Sequence, residues 1–460
     1  MNNIIEVKNP ATGEVVAKIV DASVADVDKA VKSARKGFEV WRKVSAQERA
    51  KVLYKASAII KERAEDIAKS MTLEMGKPIK AARSEVLRAA DLVTYFAEEG
   101  LRIIGDVMQA NLANEEVMVI KAPTGVVGAI TPANFPVSLL INKVGAALAA
   151  GCSVVAKPDE HATSCSLMIA KAFLDAGLPE GVFNMITGSG AGAGNALVNH
   201  EDVNVISFTG SLEAGRKIAS EAAKTCKRVA MELGGQSPAI VMDKVDVAAM
   251  ITAFTHQTFN NSGQYCYRIN RAYVHEGVYD EFMNQLVAEV SKYKIGEGMD
   301  EACNFGPLTH EGILKRTMSH IEDALNKGAT VKMGGKNLKG LFVEPTILEN
   351  CNHDMLCMQE ETFGPVLAVK KVSSLKEAVK LANDTKYGLA AFVFVEDAGT
   401  GLQVSRQIDA GVVWVNKIHG AYNYAPFGGM KQSGIGREKS KYGLDEFMEL
   451  KTVYLTLPEV

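Results

Sequence analysis

From residue 124 onward, short apolar runs alternate with segments of helix length along most of the chain. Residues 125–130 precede a helix-length segment at 136–150, and residues 153–156 precede another at 164–176. Two more such pairs follow, and a second series begins after Gly235 and continues to residue 395. Strands that alternate with helices of this length are typical of parallel βαβ units. The sequence therefore predicts an α/β fold built on a doubly wound parallel sheet.

The segments that flank this alternation follow other patterns. Residues 23–104 place apolar residues at three- and four-residue steps, which predicts a block of helices. Residues 107–121 are polar and strand-like, which indicates a hairpin that reaches away from the body of the protein. Residues 449–455 are predicted to form a final strand, which could join the sheet of another chain.

The bulk properties exclude several classes of function. At 460 residues the chain can bury more than one core, so we expect two domains and an assembly element. A net charge of −3 gives no reason to expect nucleic acid or an anionic membrane as a partner. No apolar run approaches the roughly 18 residues that a membrane span requires, and the N-terminus lacks the pattern of a signal peptide.

The seven cysteines are odd in number and show no CxxC spacing. This pattern argues against a disulfide framework and against a structural zinc site, so we expect no bound metal. It favours a reducing compartment, and we predict a cytoplasmic protein.

Two short sequences place a cysteine and an acid in unusual surroundings. Cys266 follows a small polar turn at residues 261–265 and precedes an apolar run that we interpret as a strand. Glu232 stands between apolar residues and is followed by Gly234 and Gly235. A thiol in a cleft is a good nucleophile, and a carboxyl group in a partly apolar cleft suits a general base. The alternative is that Cys266 is a small buried hydrophobic side chain and Glu232 a solvated acid.

Seven motifs stand in the order and approximate spacing of one enzyme superfamily. The chain resembles the NAD(P)-dependent aldehyde dehydrogenases from about residue 7 to about residue 457. Its sequence as a whole looks most like that of the succinate-semialdehyde members. The resemblance implies a Rossmann-type cofactor domain, an α/β catalytic domain and a small β oligomerisation element. The motifs are residues 131–136 (TPANFP), 155–158 (VAKP), 208–211 (FTGS) with Gly215, 232–235 (ELGG), 263–266 (GQYC), 361–365 (ETFGP), and 426–429 (PFGG) followed by 431–434 (KQSG).

The resemblance implies roles for five catalytic residues. Cys266 attacks the aldehyde, and the Asn134 amide and the Cys266 N–H hold the oxyanion of the thiohemiacetal. Glu232 activates the water that hydrolyses the thioester and releases the acid. Lys143 and Glu438 stand where relatives support proton movement near this base. The alternative for Lys143 is that it caps or solvates its helix.

The resemblance also implies a site for NAD, with NADP as the alternative. The helix that begins near Ser211 offers free N–H groups and its dipole to the pyrophosphate. A carboxylate at Glu160, beside the adenosine ribose, favours NAD because it repels a 2′-phosphate. The glycine-rich residues 188–194 do not match the GxGxxG register, so they are either a flexible loop or a cofactor contact. The predicted cofactor residues are Thr131, Pro132, Lys157, Glu160, Gly190, Gly194, Gly210, Ser211, Gly215, Leu233, Glu361 and Phe363.

The substrate pocket is the least specified part of the predicted site. Succinate-semialdehyde members bind the distal carboxylate with arginines at positions equivalent to Asn142 and Asn260, and both residues are neutral here. We therefore expect a neutral small-to-medium or aromatic aldehyde, with succinate semialdehyde as the leading alternative and Arg268 as a substitute partner for its carboxylate. The predicted pocket residues are Asn142, Asn260, Tyr265, Tyr267, Arg268, Tyr422 and Tyr424, although the last two are alternatively exposed tyrosines of a surface loop.

Two other classes of protein compete with this interpretation. A CoA-acylating dehydrogenase passes the thioester to CoA, but such members commonly lack the acid found here at Glu232. A non-catalytic structural or binding protein on the same fold would be marked by loss of Cys266, Glu232 or Asn134, and all three are present. The sequence therefore favours hydrolytic oxidation of an aldehyde.

The predicted domain organisation has three parts. Residues 1–106 and 124–233 form the NAD-binding domain, and residues 234–427 form the catalytic domain. Residues 107–123 and 444–460 form the oligomerisation element of a homodimer or homotetramer.

Overall fold

The computed structural model describes residues 3–458, and its N-terminal part is an antiparallel ribbon followed by helices. Ser23 and Asp26 form a capping box at the first helix, in which each side chain accepts a hydrogen bond from the other residue's N–H. The helical block predicted for residues 23–104 is confirmed. The elements are β1 (Ile4–Lys8), β2 (Val15–Val20), α1 (Val24–Trp41), α2 (Ala46–Glu62), α3 (Ala64–Met75) and α4 (Ile79–Gly100).

The next part of the chain builds a six-stranded sheet with helices between its strands. Its order is β19-β9-β8-β5-β6-β7, and all neighbours are parallel except the short strand β19 (Gly434–Ile435), which pairs antiparallel with β9. The elements from α4 to the end of this series are β3 (Asp106–Met108), β4 (Glu115–Pro123), β5 (Val126–Thr131), α5 (Pro136–Ala150), β6 (Ser153–Pro158), α6 (Thr163–Asp175), β7 (Phe183–Met185), α7 (Asn195–Asn199), β8 (Val205–Thr209), α8 (Leu212–Ala223) and β9 (Arg228–Glu232).

A second α/β series forms a seven-stranded sheet of order β12-β15-β16-β11-β10-β17-β18, in which only β12 is antiparallel to its neighbour. The strand predicted for residues 366–372 is confirmed. The elements are β10 (Ser237–Val241), α9 (Val247–Phe259), β11 (Ile269–His275), α10 (Tyr279–Val290), α11 (Glu311–Asn326), β12 (Thr330–Met333), β13 (Asn337–Lys339), β14 (Phe342–Val343), β15 (Thr346–Glu349), α12 (Leu356–Gln359), β16 (Val366–Val372), α13 (Leu375–Asn383), β17 (Ala390–Phe394), α14 (Ala398–Ser405) and β18 (Val412–Val415).

The hairpin and the C-terminal strand meet in a third, three-stranded sheet. After α15 (Ser440–Asp445), β20 (Met448–Thr456) pairs antiparallel with β4 over its whole length, and β4 pairs with β3. The final strand therefore pairs within its own chain and is an edge strand of that sheet.

Burial explains why the two large sheets have continuous apolar strands. Every residue of β5, β6 and β8 is buried, as expected for parallel strands that helices cover on both faces. Helix α5 is also apolar around almost its whole circumference, and it packs along α4 with Gly145 against the ring of Phe96. In the described residues, no helix is long and apolar enough to cross a membrane.

The three sheets lie in the three sequence regions of the predicted domains, but the domain boundaries stay a prediction. The strand β19 departs from that division in sequence, because it comes from the C-terminal part of the chain and pairs with the first large sheet. Residues 1, 2, 459 and 460 of the predicted domains lie outside the described residues.

Candidate active site

The loop that carries Cys266 is held in an uncommon backbone conformation. Asn261 and Ser262 adopt left-handed backbone angles, with φ of 52° and 56°. The Ser262 hydroxyl donates to a main-chain carbonyl at 2.7 Å. The Gln264 side chain accepts hydrogen bonds from the N–H and hydroxyl of Thr309 at 2.8 and 2.9 Å. Left-handed angles at residues other than glycine persist only where surrounding contacts fix them, so this loop gives Cys266 a fixed position.

Cys266 is partly exposed at the end of this loop, and its environment keeps the thiol protonated. Burial, with the charges of Glu361, Glu232 and Glu438, raises the pKa of the Cys266 thiol. The thiol therefore needs a base to remove its proton before it can attack. The Cys266 N–H donates to no acceptor in the described part of the chain, so it is a free donor beside the sulfur.

Glu232 ends strand β9, and its charge acts on the Cys266 thiol. Both of its carboxyl oxygens are buried, and neither has a hydrogen-bond partner. Burial, and then the charge of Glu438, raises the pKa of Glu232 well above its usual range, while Lys143 acts in the opposite direction. A buried carboxyl group with free oxygens and a raised pKa has the properties that a general base requires.

Lys143 and Glu438 form a buried ion pair beside this carboxyl group. The Lys143 ammonium lies 2.5 Å from the Glu438 carboxylate, and both side chains are almost fully buried. The Glu438 backbone pairs with Phe427 through two hydrogen bonds of 2.7 and 2.9 Å. The pair therefore connects helix α5 to the C-terminal segment next to Glu232, within reach of its charge.

Asn134 lies between β5 and α5, where its backbone and side chain have separate contacts. Its carbonyl accepts hydrogen bonds from the Lys77 ammonium at 2.7 Å and from the Asn261 amide at 3.1 Å. Its own side-chain amide donates one N–H to the carbonyl of Gln264 at 3.1 Å. The second N–H of that amide and the Cys266 N–H are therefore two donors at the loop that carries Cys266.

A second buried ion pair, Lys77 with Glu85, fixes the position of Asn134. Lys77 and Glu85 are almost completely buried and hydrogen-bonded to each other. The other Glu85 oxygen accepts from the N–H groups of Val137 and Ser138 at the start of α5, both at 3.1 Å. We did not identify either residue from the sequence. The available signal was the position of Glu85 among the apolar residues of the buried face of α4.

The carboxyl edge of the first large sheet presents groups suited to a dinucleotide. Thr131 and Thr209 end the neighbouring strands β5 and β8, and their buried hydroxyls have no partner. At the end of β6, the Lys157 ammonium lies 3.3 Å from the Glu160 carboxylate, which is partly exposed. Ligands of open α/β sheets bind at this edge. Pro132 is partly exposed next to Thr131.

Helix α8 begins at the same edge with free backbone donors. The Ser211 hydroxyl accepts the Ala214 N–H at 3.3 Å, which leaves the first N–H groups of the helix available to an anion. The Gly210 N–H donates to the Glu232 carbonyl at 3.1 Å. A methyl group on Gly215 would overlap the side chain of Leu233, so close packing ties this helix to the segment after Glu232. These residues fit a pyrophosphate and support the predicted dinucleotide site.

The glycine-rich segment lies beside this edge as a short helical turn. The Ser189 hydroxyl accepts the Gly192 N–H at 3.1 Å, and Asp21 accepts the Ser189 N–H at 2.9 Å. A methyl group on Gly190 would meet open space, whereas one on Gly194 would lie 3.8 Å from the Lys157 side chain. The segment is therefore ordered and next to the predicted ribose contact.

Glu361 and Arg268 lie on the other side of the Cys266 loop. Glu361 accepts the Gly235 N–H at 3.0 Å, and burial raises the pKa of Glu361 to about 7. Phe363 follows with a left-handed φ of 54°. Arg268 is 1% exposed, and two of its guanidinium nitrogens have no partner. Burial lowers the pKa of Arg268 to about 9, and its charge acts on Glu361. This placement favours a role beside Glu361 over contact with a substrate carboxylate.

Aromatic rings line the wall around Cys266. Tyr265 and Tyr267 have ring centroids 4.2 Å apart, and Tyr267 stacks on Trp414 at 5.6 Å with an interplanar angle of 8°. Phe135 packs on Tyr265 at 5.3 Å, and Phe427 packs on Tyr267 at 5.0 Å. We predicted the two tyrosines from the sequence but not the other three rings, which come from distant segments.

The remaining predicted pocket residues lie farther out or carry open polar atoms. Tyr422 and Tyr424 are exposed and stack at 5.2 Å, and His419 extends the stack on the side of Tyr422 at 4.6 Å. Asn142 is buried and its side-chain oxygen has no partner, while Asn260 is partly exposed at the end of α9. The stacked tyrosines are compatible with a pocket mouth and with a surface loop.

Comparisons with known proteins identify the architecture around this cleft. The model of the aldehyde dehydrogenase family matches residues 1–453. A mitochondrial succinate-semialdehyde dehydrogenase of Oryza sativa is 42% identical over 451 residues, with 98% of this chain and 86% of that protein covered. An NADP+-dependent succinate-semialdehyde dehydrogenase of Escherichia coli is 40% identical over 455 residues, with 98% and 94% covered. The crystal structure of an aldehyde dehydrogenase from Brucella melitensis superposes with a TM-score of 0.97 at 40% identity, covering 99% of this chain and 95% of that one.

Proposed function

This chain belongs to the aldehyde dehydrogenase family, and we propose that Cys266, Glu232 and Asn134 carry its reaction. The enzyme oxidises an aldehyde to a carboxylic acid with NAD(P)+ as the electron acceptor. The observation that carries the proposal is the convergence of a partly exposed thiol, a buried carboxyl group with two free oxygens and unused N–H donors at one loop.

The first chemical step is attack of the Cys266 sulfur on the aldehyde carbon. Glu232 accepts the thiol proton, because its raised pKa makes its carboxylate a stronger base and its two oxygens have no other partner. The carbonyl oxygen becomes the oxyanion of a thiohemiacetal. The Asn134 amide and the Cys266 N–H stabilise it, and each such donor typically lowers the barrier by about 2.7–4 kcal/mol.

Oxidation of the thiohemiacetal to a thioester needs a hydride acceptor, which the nicotinamide cofactor would supply when bound. The α8 N-terminus and Lys157 would hold its pyrophosphate and adenosine ribose, and Glu361 would hold its second ribose. The partly exposed Glu160 carboxylate accepts ribose hydroxyls and repels a 2′-phosphate, which favours NAD.

Release of the acid requires water, and Glu232 is the base that activates it. The Lys143–Glu438 pair at 2.5 Å lies in electrostatic contact with Glu232 and supports movement of the proton away from it. A carboxyl group at this position favours hydrolysis over transfer of the acyl group to CoA.

The test follows NADH formation from a panel of aldehydes, with and without CoA. Cys266→Ala is expected to abolish turnover, whereas Cys226→Ala, at an exposed cysteine, leaves it unchanged. Glu232→Gln is expected to slow both the first NADH formed per site and the steady rate, because it removes the base for the thiol and the base for the hydrolytic water. An unchanged steady rate in Cys266→Ala would contradict the mechanism. NADH formation that depends on CoA in the parent enzyme would contradict the hydrolytic step.

Two substrate classes stand as candidates. The aromatic wall around Cys266 suits a neutral small-to-medium or aromatic aldehyde. The named relatives oxidise succinate semialdehyde, which carries a carboxylate at its far end. The same aldehyde panel separates the classes when it contains neutral and carboxylated members of equal length.

We propose a homodimer or homotetramer that assembles through the three-stranded sheet. Val107, Leu450 and Tyr454 are exposed on this sheet, and β20 is an edge strand that another chain could extend. Light scattering on Leu450→Asp with Tyr454→Asp is expected to show a smaller species than the parent protein. An unchanged mass would move the interface elsewhere.

We also propose a cytoplasmic location. The seven cysteines are all free in the structure, which fits a reducing compartment. The Oryza sativa relative is mitochondrial by name, so fractionation of the native host is the deciding measurement.

A further inference from the structure

Two cationic side chains and one histidine, whose pKa is lowered by burial, lie near Tyr267 beside Cys266 and Glu438. They are Arg88 on α4, His256 in the last turn of α9 and Lys439 directly before α15, and we call them the cationic mouth. In residues 3–458 none of them forms a salt bridge. The Arg88 guanidinium donates to the Ser84 hydroxyl at 2.7 Å, and the Lys439 ammonium donates to the carbonyl of Ala421 at 2.9 Å. Both acceptors are neutral oxygens.

Helix packing places Arg88 beside the pocket. Glu85 on α4 accepts hydrogen bonds from the first turn of α5 at 3.1 Å, and farther along both helices Phe96 packs on Gly145. The two helices therefore run side by side in the same direction. Arg88 follows Glu85 by three residues and lies about one turn farther along the same side of α4, with its side chain exposed where that of Glu85 is buried. It is thus within about one helical turn of the level of Asn142 on α5.

Lys439 reaches the same region from the C-terminal segment. It follows Glu438, whose carboxylate is paired with Lys143 on α5, the residue next to Asn142. Its backbone has a left-handed φ of 59°, and its ammonium is bonded to the loop that carries the stacked tyrosines. Burial lowers the pKa of Lys439 to about 8. A lysine is uncommon in this backbone conformation, where glycine is the usual residue.

The two cations and the His256 imidazole share one space. The charge of Arg88 acts on His256, on Lys439 and on Tyr267, which adjoins Cys266. Like charges that face one another repel, and Glu438, the acid whose charge acts on Lys439, is already paired with Lys143. An anionic ligand between Arg88 and Lys439 would relieve that repulsion. The neutral residues Asn142 and Asn260 contribute no charge to that cleft.

We propose that Arg88 and Lys439 bind an anionic group at the far end of the aldehyde, with His256 at the edge of the same site. The substrate class is then an aldehyde with a carboxylate several bonds from the carbonyl carbon. This inference rests on the proposed role of Cys266, and it moves the carboxylate partners from positions 142 and 260 to α4 and the turn before α15. It replaces our expectation of a neutral aldehyde, which rested on the neutral Asn142 and Asn260.

The test compares 4-oxobutanoate and 5-oxopentanoate with butanal and pentanal, their neutral counterparts. The measured quantity is the ratio of kcat/KM for the carboxylated aldehyde to that for the neutral one. The parent enzyme is expected to prefer the carboxylated member. Arg88→Met and Lys439→Gly are each expected to lower the ratio roughly 10- to 100-fold, the usual effect of losing a hydrogen bond to a charged group. Lys439→Gly suits the left-handed backbone and so removes the amine without straining the fold.

Conservative and matched variants separate charge from structure. Arg88→Lys is expected to keep most of the ratio, because it keeps the charge. Lys441→Met and Arg102→Met remove exposed cations near the same elements and are expected to leave the ratio unchanged. A ratio below one in the parent, or an unchanged ratio in both Arg88→Met and Lys439→Gly, contradicts the proposed anion site. Cys266-dependent oxidation of neutral aldehydes alone would contradict the anion site and leave the proposed function intact. Failure of every aldehyde would contradict the proposed function itself.

Discussion

Two regions of the molecule bury charged side chains, and they differ in how those charges are satisfied. In the first, which we call the paired region, Lys77 and Glu85 contact each other and backbone groups of Asn134 and α5. On the second large sheet, the buried Arg271 of β11 is satisfied in the same way, because it donates to three main-chain carbonyls and to the Tyr273 hydroxyl. The charges in this region have hydrogen-bond partners within the protein.

In the second, which we call the open region, buried polar atoms have no partner within the protein. Both oxygens of Glu232, two nitrogens of Arg268 and the side-chain oxygen of Asn142 lack hydrogen bonds. An unpaired buried polar group costs about 1–3 kcal/mol or more. The open region therefore keeps groups that bound molecules or water can satisfy, and the paired region holds them in place.

The largest expected effect comes from breaking the paired region. Lys77→Met leaves the Glu85 carboxylate buried without its counter-charge, and such a change typically lowers the free energy of unfolding by about 3–5 kcal/mol. Denaturation in urea followed by circular dichroism measures it. The double variant Lys77→Met with Glu85→Leu is expected to regain much of the stability, because no charge is then left buried alone. Equal stability of the single variant and the parent would contradict the distinction between the regions.

Asn134 separates the two regions within one residue, because its carbonyl belongs to the paired region and its amide to the proposed oxyanion site. Asn134→Ala keeps the backbone contacts and removes the amide. It is expected to lower kcat about 100- to 1000-fold, or about 2.7–4 kcal/mol of barrier, with little change in thermal unfolding. Steady-state kinetics at saturating NAD+ measure the effect. A large loss of stability with unchanged kcat would assign the amide to the scaffold instead.

Glu232→Gln is expected to stabilise the fold, which is the opposite of the Lys77 result. The pKa of Glu232 is raised in the folded state, so the folded protein binds its proton more tightly than the unfolded chain does. The stability that this group contributes is therefore lost as pH rises above 4.5, the pKa of Glu232 in the unfolded chain. Glutamine does not ionise, so the variant does not lose it. The gain should be near zero at pH 4.5 and reach about 1–3 kcal/mol at pH 8. Thermal unfolding at the two pH values checks it, and a gain that shrinks with pH would contradict the assignment.

The smallest expected effect concerns Glu160, which is partly exposed and belongs to neither region. Glu160→Gln removes the charge that repels a 2′-phosphate, so the preference for NAD over NADP should fall about 10-fold, or about 1.4 kcal/mol. Its surface ion pair with Lys157 should contribute about 0–1 kcal/mol to stability. The ratio of kcat/KM for the two cofactors measures the change, with Glu201→Gln at a distant exposed acid as control. An unchanged ratio would remove Glu160 from the cofactor site.

Local patterns allowed much of the fold to be predicted. The alternation after residue 124 and the block before residue 104 rest on contacts between neighbours in sequence, and the helices and strands lie where those patterns indicate. The strand β19 escaped prediction, because two residues carry no periodicity and its partner β9 lies about 200 residues away in sequence.

The charged residues show the same limit more clearly. Cys266, Glu232 and Asn134 were identified by their motifs, but Lys77, Glu85, Arg88 and Lys439 were not. A charged residue in a helical pattern normally faces solvent. Only packing distinguishes Glu85, buried against α5, from Arg88 three residues later, which is exposed.

By itself the sequence determined the α/β class and the family resemblance, and it predicted the reactive cysteine with its acid, because periodicity and short motifs are local properties. The tertiary structure decided which buried charges are paired and which are left open. Those outcomes depend on segments that are far apart in the chain and come together only in the fold. Hydrogen bonding and electrostatics act over a few ångströms, so they could be assessed only once those distances were fixed.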